Sequence, residues 1–341
     1  MPAHRYRALD TLRFFFAVLV VAGHVAGWNN TVPKGGMSVD FFFCLSGFVL
    51  THSIVTSSPS FRVFTVNRIA RLVPLHWLTL VICVLVFAHL KWWGEIDSKD
   101  LIRNVLLVNG VVPTVHQFNW PSWSISVEVY ANVLFFYFIA SRRLVVPAGF
   151  VLATCFLVLA GLGPQILRAD MNVLRCVLGL TAGYLAYEAH LPLHISGSYQ
   201  CRMISLASTL SLVVLGGLLF TQPSLWSTLV VIAAMPAIIV LIAIEKNALA
   251  QTLSTSALAY AGDLSFSIYL IHAPLLLLFR KHHWLGLEND TIFSGTAMQV
   301  AAFAILLLLL SVLSFEFFEK PAKRYVREKL FASHRSIDAN A

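Results

Sequence analysis

The stretch RFFFAVLVVAGHV, residues 13–25, places ten apolar or small residues between an arginine and a histidine. Extended back to Leu9, the run is long and apolar enough to read as a membrane-spanning helix. Arg13 and His24 are eleven positions apart. That is three turns plus about 20° of a helix, so both lie on one face, separated along the axis by about 16 Å. Asp10 falls three residues before Arg13 on the same side. An ionisable group inside a span costs about 2.5–3.5 kcal/mol on insertion scales, so it is normally turned toward a cavity or a partner. Taken singly, Arg13 could snorkel to headgroups and His24 could be a structural histidine. Together they make one stripe polar at two depths, which points to function.

The same signal recurs along the chain. Of 341 residues, 58% are hydrophobic and 12% charged, and the mean hydropathy is +0.78. Apolar runs are expected to span at about 9–27, 37–55, 68–90, 123–140, 145–162, 172–188, 203–220, 225–244, 260–280 and 296–318. The fold class is therefore an all-α polytopic membrane protein of about ten transmembrane helices. The first run is too long for a signal-peptide core and no small-residue cleavage site follows it, so it is expected to be retained. The segment LIRNVLLVNGVVP (101–113) is too short to cross and reads as re-entrant or interfacial.

The net charge of +8 belongs to the positive-inside pattern rather than to nucleic acid. With the N-terminus in the cytoplasm, 16 of the 24 Lys and Arg residues fall on the inner side. Both termini are then cytoplasmic, in a cell (inner) membrane. The five cysteines are scattered, without metal-ligand spacing, and are expected as free packed thiols. No internal repeat is visible, which weakens a transporter built on inverted repeats. Residues 1–325 are expected to form one membrane domain, and 326–341 a short cytoplasmic tail that frays.

Further polar residues fall at matching depths. Asp40 opens the second span, and Glu128 lies in the first turns of the fourth, with Ser124 one turn before it. His24, Asp40 and Glu128 are expected toward the outer half of the membrane. FTVNRIARLVPLHW opens the third span with Arg68 and Arg71 spaced i,i+3, with Arg62 ahead of them. Paired guanidiniums suit phosphate, and Pro74 suggests a kink beside them. In GDLSFSIYLIHAPL, residues Ser265, Tyr269 and His272 form a polar stripe at i, i+4, i+7. His272 reads first as a packing or hydrogen-bonding residue. Glu316 and Lys320 read as a structural i,i+4 pair.

RALDTLRFFFAVLVVAGHV, FFFCLSGFVL, RIARLVPLHW, WSISVEVY, LSFSIYLIHAPL and FEKPAKR occur in that order along nearly the whole chain. In this ordered set the chain resembles the acyltransferase-3 family of integral membrane acyltransferases, and specifically its stand-alone, O-acetyltransferase-like members. The resemblance implies about ten helices around a central pore or cavity. It implies transfer of an acyl group, commonly acetyl, from cytoplasmic acyl-CoA to a hydroxyl of a carbohydrate or glycolipid. Family roles fall on Arg13 and His24, on Arg68 and Arg71, and on Glu128. Acyl-CoA is then a co-substrate, and no bound cofactor or metal is expected. Arg68 and Arg71, with Arg62 or Arg13, would meet its phosphates. His24 would serve as general base, because imidazole titrates near neutral pH. Glu128 or Asp40 would orient it or bind the acceptor, with Asp10, Ser124 and His272 as supporting polar groups. The partners expected are thus acyl-CoA, the acceptor and membrane lipid. The alternative reading is an ion- or proton-coupled transporter, since intramembrane charges also line ion paths.

Overall fold

The computed structural model describes residues 4–26, 35–92, 94, 96–112, 117–141, 144–162, 171–193, 197–221, 224–281 and 297–338. Lys34, Arg142, Arg143 and Arg168, which enter the charge count, lie outside the described residues. The elements among the described residues are helices: α1 (Arg7–Val25), α2 (Ser38–Ser57), α3 (Phe61–His89), α4 (Ser98–Val105), α5 (Trp123–Ala140), α6 (Val145–Leu162), α7 (Asn172–His190), α8 (Ser198–Leu219), α9 (Leu225–Ala243), α10 (Ala248–Leu253), α11 (Ser256–Lys281), α12 (Ala297–Ser314) and α13 (Lys320–Asp338). Eight stretches are long and apolar enough to cross a membrane, and α6 and α7 occupy the two remaining places among the expected spans. Apolar side chains such as Phe150, Leu157, Trp226 and Met298 stay exposed, as lipid-facing residues do. The chain is an all-α polytopic membrane protein.

Two compact units divide it. The first takes in α1, α2, α6 to α10 and the start of α11. The second takes in α3, α4, the first half of α5, the rest of α11, α12 and α13.

In the first unit, α2 and α7 run side by side in the same direction. Asp40 meets Arg175 near their starts, and the His52 ring meets the Tyr187 ring near their ends. Glycine permits the closeness. A Cβ on Gly183 would lie 1.9 Å from the Cys44 carbonyl oxygen, and one on Gly47 2.1 Å from that of Leu180. Without a hydrophobic force between helices in lipid, such small-residue contact is what lets backbones pack. Around this seam, Phe16 of α1 stacks on Phe41 of α2 at 3.8 Å, and Leu12, Phe48, Met235 and Ile239 fill the core.

In the second unit, α3 begins seven residues earlier than the hydropathy pattern suggests, because Ser60 caps the Val63 amide. Its first two turns mix Arg62, Thr65 and Asn67 with apolar residues, which blurs the start of the apolar run. At the end of the short α4, backbone amides of the following turn bond to the carbonyls of Ile102, Arg103 and Asn104. Four side chains add bonds to the carbonyls at and just beyond its end, where water is scarce. His76 of α3 donates to the carbonyl of Asn104 and Trp77 of α3 to that of Val105. Tyr130 and Ser126 of α5 donate to those of Leu106 and Leu107. The segment is a helix of eight residues, too short to cross.

The tail departs from expectation. It is helical to Asp338 rather than frayed. Pro321 would clash with an ordinary α-turn. Residues Phe315–Glu319 instead form a π-turn, in which the Lys320 amide bonds to the Phe315 carbonyl five residues back. The widened turn lets the helix pass the proline. The expected Glu316–Lys320 pair is present at 2.7 Å.

Candidate functional site

In the first unit, α1 is one uninterrupted helix without proline, so Arg13 and His24 do share a face. Both are half-buried. Arg13 does not stand alone at its end of the helix. Asp10 lies 3.5 Å from its guanidinium, and the other Asp10 oxygen accepts from Arg5 Nε at 2.6 Å. Arg5 also donates to Asp263 of α11 at 2.6 Å. Gly262 makes this possible, since a Cβ there would lie 2.2 Å from the Asp10 carbonyl oxygen. Tyr6, between two arginines, sits edge-on to the rings of His4, Phe48, His52 and His190. Burial pushes its phenol up to about 12, with smaller contributions from Tyr187 and Glu245.

Asp40 is sealed. Arg175 of α7 grips it through two parallel bonds, of 3.0 and 2.9 Å, and donates a third, of 3.0 Å, to the Gly36 carbonyl. The Arg175 side chain is 3% exposed and that of Asp40 11%. Both carboxylate oxygens thus point at one guanidinium.

In the second unit, Arg68 and Arg71 lie half-buried on α3, the Arg68 guanidinium 5.8 Å over the Phe64 ring. Arg62 does not join them. Nine residues before Arg71 is half a turn out of phase, and Arg62 donates instead to the Leu330 carbonyl of α13 at 2.8 Å. Glu128 is half-buried and accepts a long bond, 3.5 Å, from the buried amide of Asn132. Ser124 turns to Tyr269, hydroxyl to hydroxyl at 2.9 Å, and the Tyr269 hydroxyl donates to the Pro121 carbonyl. His272 is fully buried, its Nδ1 3.3 Å from the Ile268 carbonyl of its own helix. Ser124, Tyr269 and Asn119, which donates to the Leu270 carbonyl, tie the start of α5 to α11. Thus Asp10, Arg13, His24 and Asp40 belong to the first unit, and Arg62, Arg68, Arg71, Ser124, Glu128 and His272 to the second.

These helices and their polar residues lie where a family profile, described as an acyltransferase domain, matches residues 6–316. The chain belongs to the acyltransferase-3 family. It is 24% identical to the peptidoglycan O-acetyltransferase OatA of Listeria monocytogenes over 93% of its own length. It is 33% identical to the acyltransferase MdmB of Streptomyces mycarofaciens over 36% of its length. The chain spans 56% of the first relative and 36% of the second. No solved structure matches it.

The family match takes in every candidate site residue read from the sequence. Three further residues come only from the structure. In the sequence Arg175 is only one among the 24 Lys and Arg residues, yet it is the partner of Asp40. A cation four residues into a span is itself a sign that a buried anion waits elsewhere. Asp263 and Arg5 had no motif to mark them, except that Gly262–Asp263 opens an apolar helix with a charge.

Proposed function

We propose that this family member is a membrane O-acyltransferase. It moves an acyl group, acetyl above all, from cytoplasmic acyl-CoA to a hydroxyl of a carbohydrate or glycolipid. The observation that carries this reading is the α1 stripe within the family match, with half-buried Arg13 and His24 at opposite ends of one helix face. The activity of the Listeria relative, O-acetylation of peptidoglycan, supports a carbohydrate acceptor.

The anionic nucleotide of the donor is met by Arg68 and Arg71, whose planar forks suit phosphate, and by Arg13. His24 accepts the acceptor's hydroxyl proton. The freed oxygen bonds to the thioester carbonyl carbon, the carbon–sulfur bond breaks, and the departing CoA sulfur takes up a proton. A transient acyl-imidazole is the two-step version of the same chemistry. Glu128 serves as a second carboxylate for the acceptor, a role that rests on the family motif. Asp40 is held by Arg175 and Arg62 by α13, so both act in the scaffold.

Purified protein with labelled acetyl-CoA tests the reading. His24→Ala should lower transfer about 10²–10⁴-fold while donor binding persists. Full transfer by folded His24→Ala protein removes the histidine from the mechanism. Failure of the native protein to bind either CoA or acetyl-CoA favours a transporter.

A further inference from the structure

Four pieces of the first unit bring ring and charged side chains together around Tyr6. The segment ahead of α1 supplies His4 and Tyr6, the last turns of α2 supply His52, the end of α7 supplies Tyr187 and His190, and Glu245 follows α9. The Tyr6 ring lies edge-on to those of His4, His52 and His190, with centroids 4.8, 5.2 and 5.9 Å away. His52 also meets His4 at 6.4 Å and Tyr187 at 5.8 Å. Three histidines thus crowd one tyrosine.

Their surroundings are unequal. His4 has the Glu245 carboxylate 2.9 Å from its Nε2. His52 is 8% exposed, and among the described residues both its ring nitrogens are buried without a hydrogen-bond partner. Nδ1 of His190 is buried in the same state. A buried polar group left unbonded costs about 1–3 kcal/mol, so a phenylalanine would serve packing better at either place. What a phenylalanine cannot do is take up a proton near neutral pH.

The groups that face these rings set what that proton would do. The charged neighbour acting on His52 is His4; those acting on His190 are His52, His4 and Glu245. Tyr6 and Tyr187 present their rings. Glu245 is the one carboxylate in this set, and His4 holds it. Protonated rings at His52 and His190 would therefore be two sheltered cations beside a third, with no anion left to pair with them. α2 and α7 are locked on each other at the Gly47–Gly183 seam, so the element that can yield is the segment ahead of α1.

We propose that His52 and His190 form a pH switch on that segment: as neutral rings they hold Tyr6 against α2 and α7, and in acid their protonation releases it to let water reach them. Arg5 leaves with Tyr6, so its bridge from Asp10 to Asp263 opens and the starts of α1 and α11 lose their tie. The released state binds more protons than the docked one. Docking is then complete above about pH 6.5, the ordinary histidine value, and weakens as pH falls below it.

The amides of Leu9 and Asp10 bond to the Tyr6 carbonyl and so report on docking. Hydrogen exchange on the purified full chain in detergent, expressed as protection factors so that the chemical pH dependence divides out, is the measurement. Protection of these amides should fall about tenfold or more from about pH 7.5 to 5.5, while that of α12 holds. His52→Phe combined with His190→Phe keeps the rings and removes the protons, so protection should be equal at the two pH values. His52→Gln with His190→Gln stands in if the phenylalanine variant fails to fold, since neither glutamine titrates. Equal native protection at both pH values overturns the switch. An acid fall that survives in the non-titrating variant also overturns it and moves the effect to the His4–Glu245 pair. A parallel fall in α12 overturns it as well, because the change is then acid unfolding of the whole chain.

Discussion

Asp10 and Asp40 are the same residue in the first turn of two neighbouring spans of one unit, yet their surroundings differ. Asp40 is closed in with a single arginine, both its oxygens taken and almost no solvent at the pair. Asp10 is shared between two arginines, one of them half-exposed, in a chain of alternating charges. The difference teaches what each can do. A buried bidentate pair has no slack. Moving either partner leaves a naked charge in a medium that solvates it poorly, so the pair fixes the register of α2 on α7. An open, shared carboxylate can redistribute its bonds at little cost, so it can tune a neighbouring cation.

The largest effect expected from this contrast lies at the sealed end. Arg175→Ala should cost about 3–5 kcal/mol, because Asp40 is left charged and buried. Thermal unfolding in detergent would show it as a large fall in the midpoint. Pairing Arg175→Met with Asp40→Leu should recover much of the loss, since apolar groups of similar volume carry no desolvation penalty. A folded Arg175→Ala protein that melts like the native one would erase the distinction between the two aspartates.

A smaller effect is expected midway along the same seam. Gly183→Ala places a methyl group where the Cys44 carbonyl now sits. Overpacking of this kind costs about 1–3 kcal/mol. If the seam and the ion pair are one rigid unit, the two lesions share their damage. Gly183→Ala added to Arg175→Ala should then cost less than it does alone, by the usual cycle of double variants. Strict additivity would mean that the ion pair does not depend on how closely the helices approach.

How much of this was legible beforehand follows the range of the interaction. The α1 stripe is local periodicity on one helix, and it reads directly from spacing. So does the Glu316–Lys320 pair. The all-α polytopic membrane class follows from composition, because lipid demands long apolar helices. The Asp40–Arg175 bond joins residues 135 positions apart, and no period in the sequence encodes which buried anion meets which buried cation. The same holds for Arg62 on the Leu330 carbonyl and for Asp263 on Arg5. The early start of α3 was missed because hydropathy sees burial in lipid and not a serine cap. The helical tail was missed because Pro321 usually stops a helix, and a π-turn is invisible to a pattern of apolar residues.

The smallest effect is expected at the open end, and it has a sign that pH can read. Tyr6 lies just before α1, among the rings of His4, Phe48, His52 and His190, beside the Arg5 that holds Asp10. Burial raises its phenol from 10.0 to about 12. Below pH 10.0 the phenol is protonated in both the folded and the unfolded chain, so it adds no pH dependence there. Between 10.0 and about 12 the unfolded chain releases the proton while the folded chain keeps it, so stability falls as pH rises through that window. Tyr6→Phe keeps the ring and removes the proton. At neutral pH it should shift stability by no more than about 0.5 kcal/mol. Above pH 10.0 it should lose stability less steeply than the native protein, as detergent unfolding curves at stepped pH would show. Parallel alkaline slopes for the two proteins would mean that the ring cluster does not shelter the phenol. The end of α1 that holds Asp10 would then be more open to solvent than its packing implies.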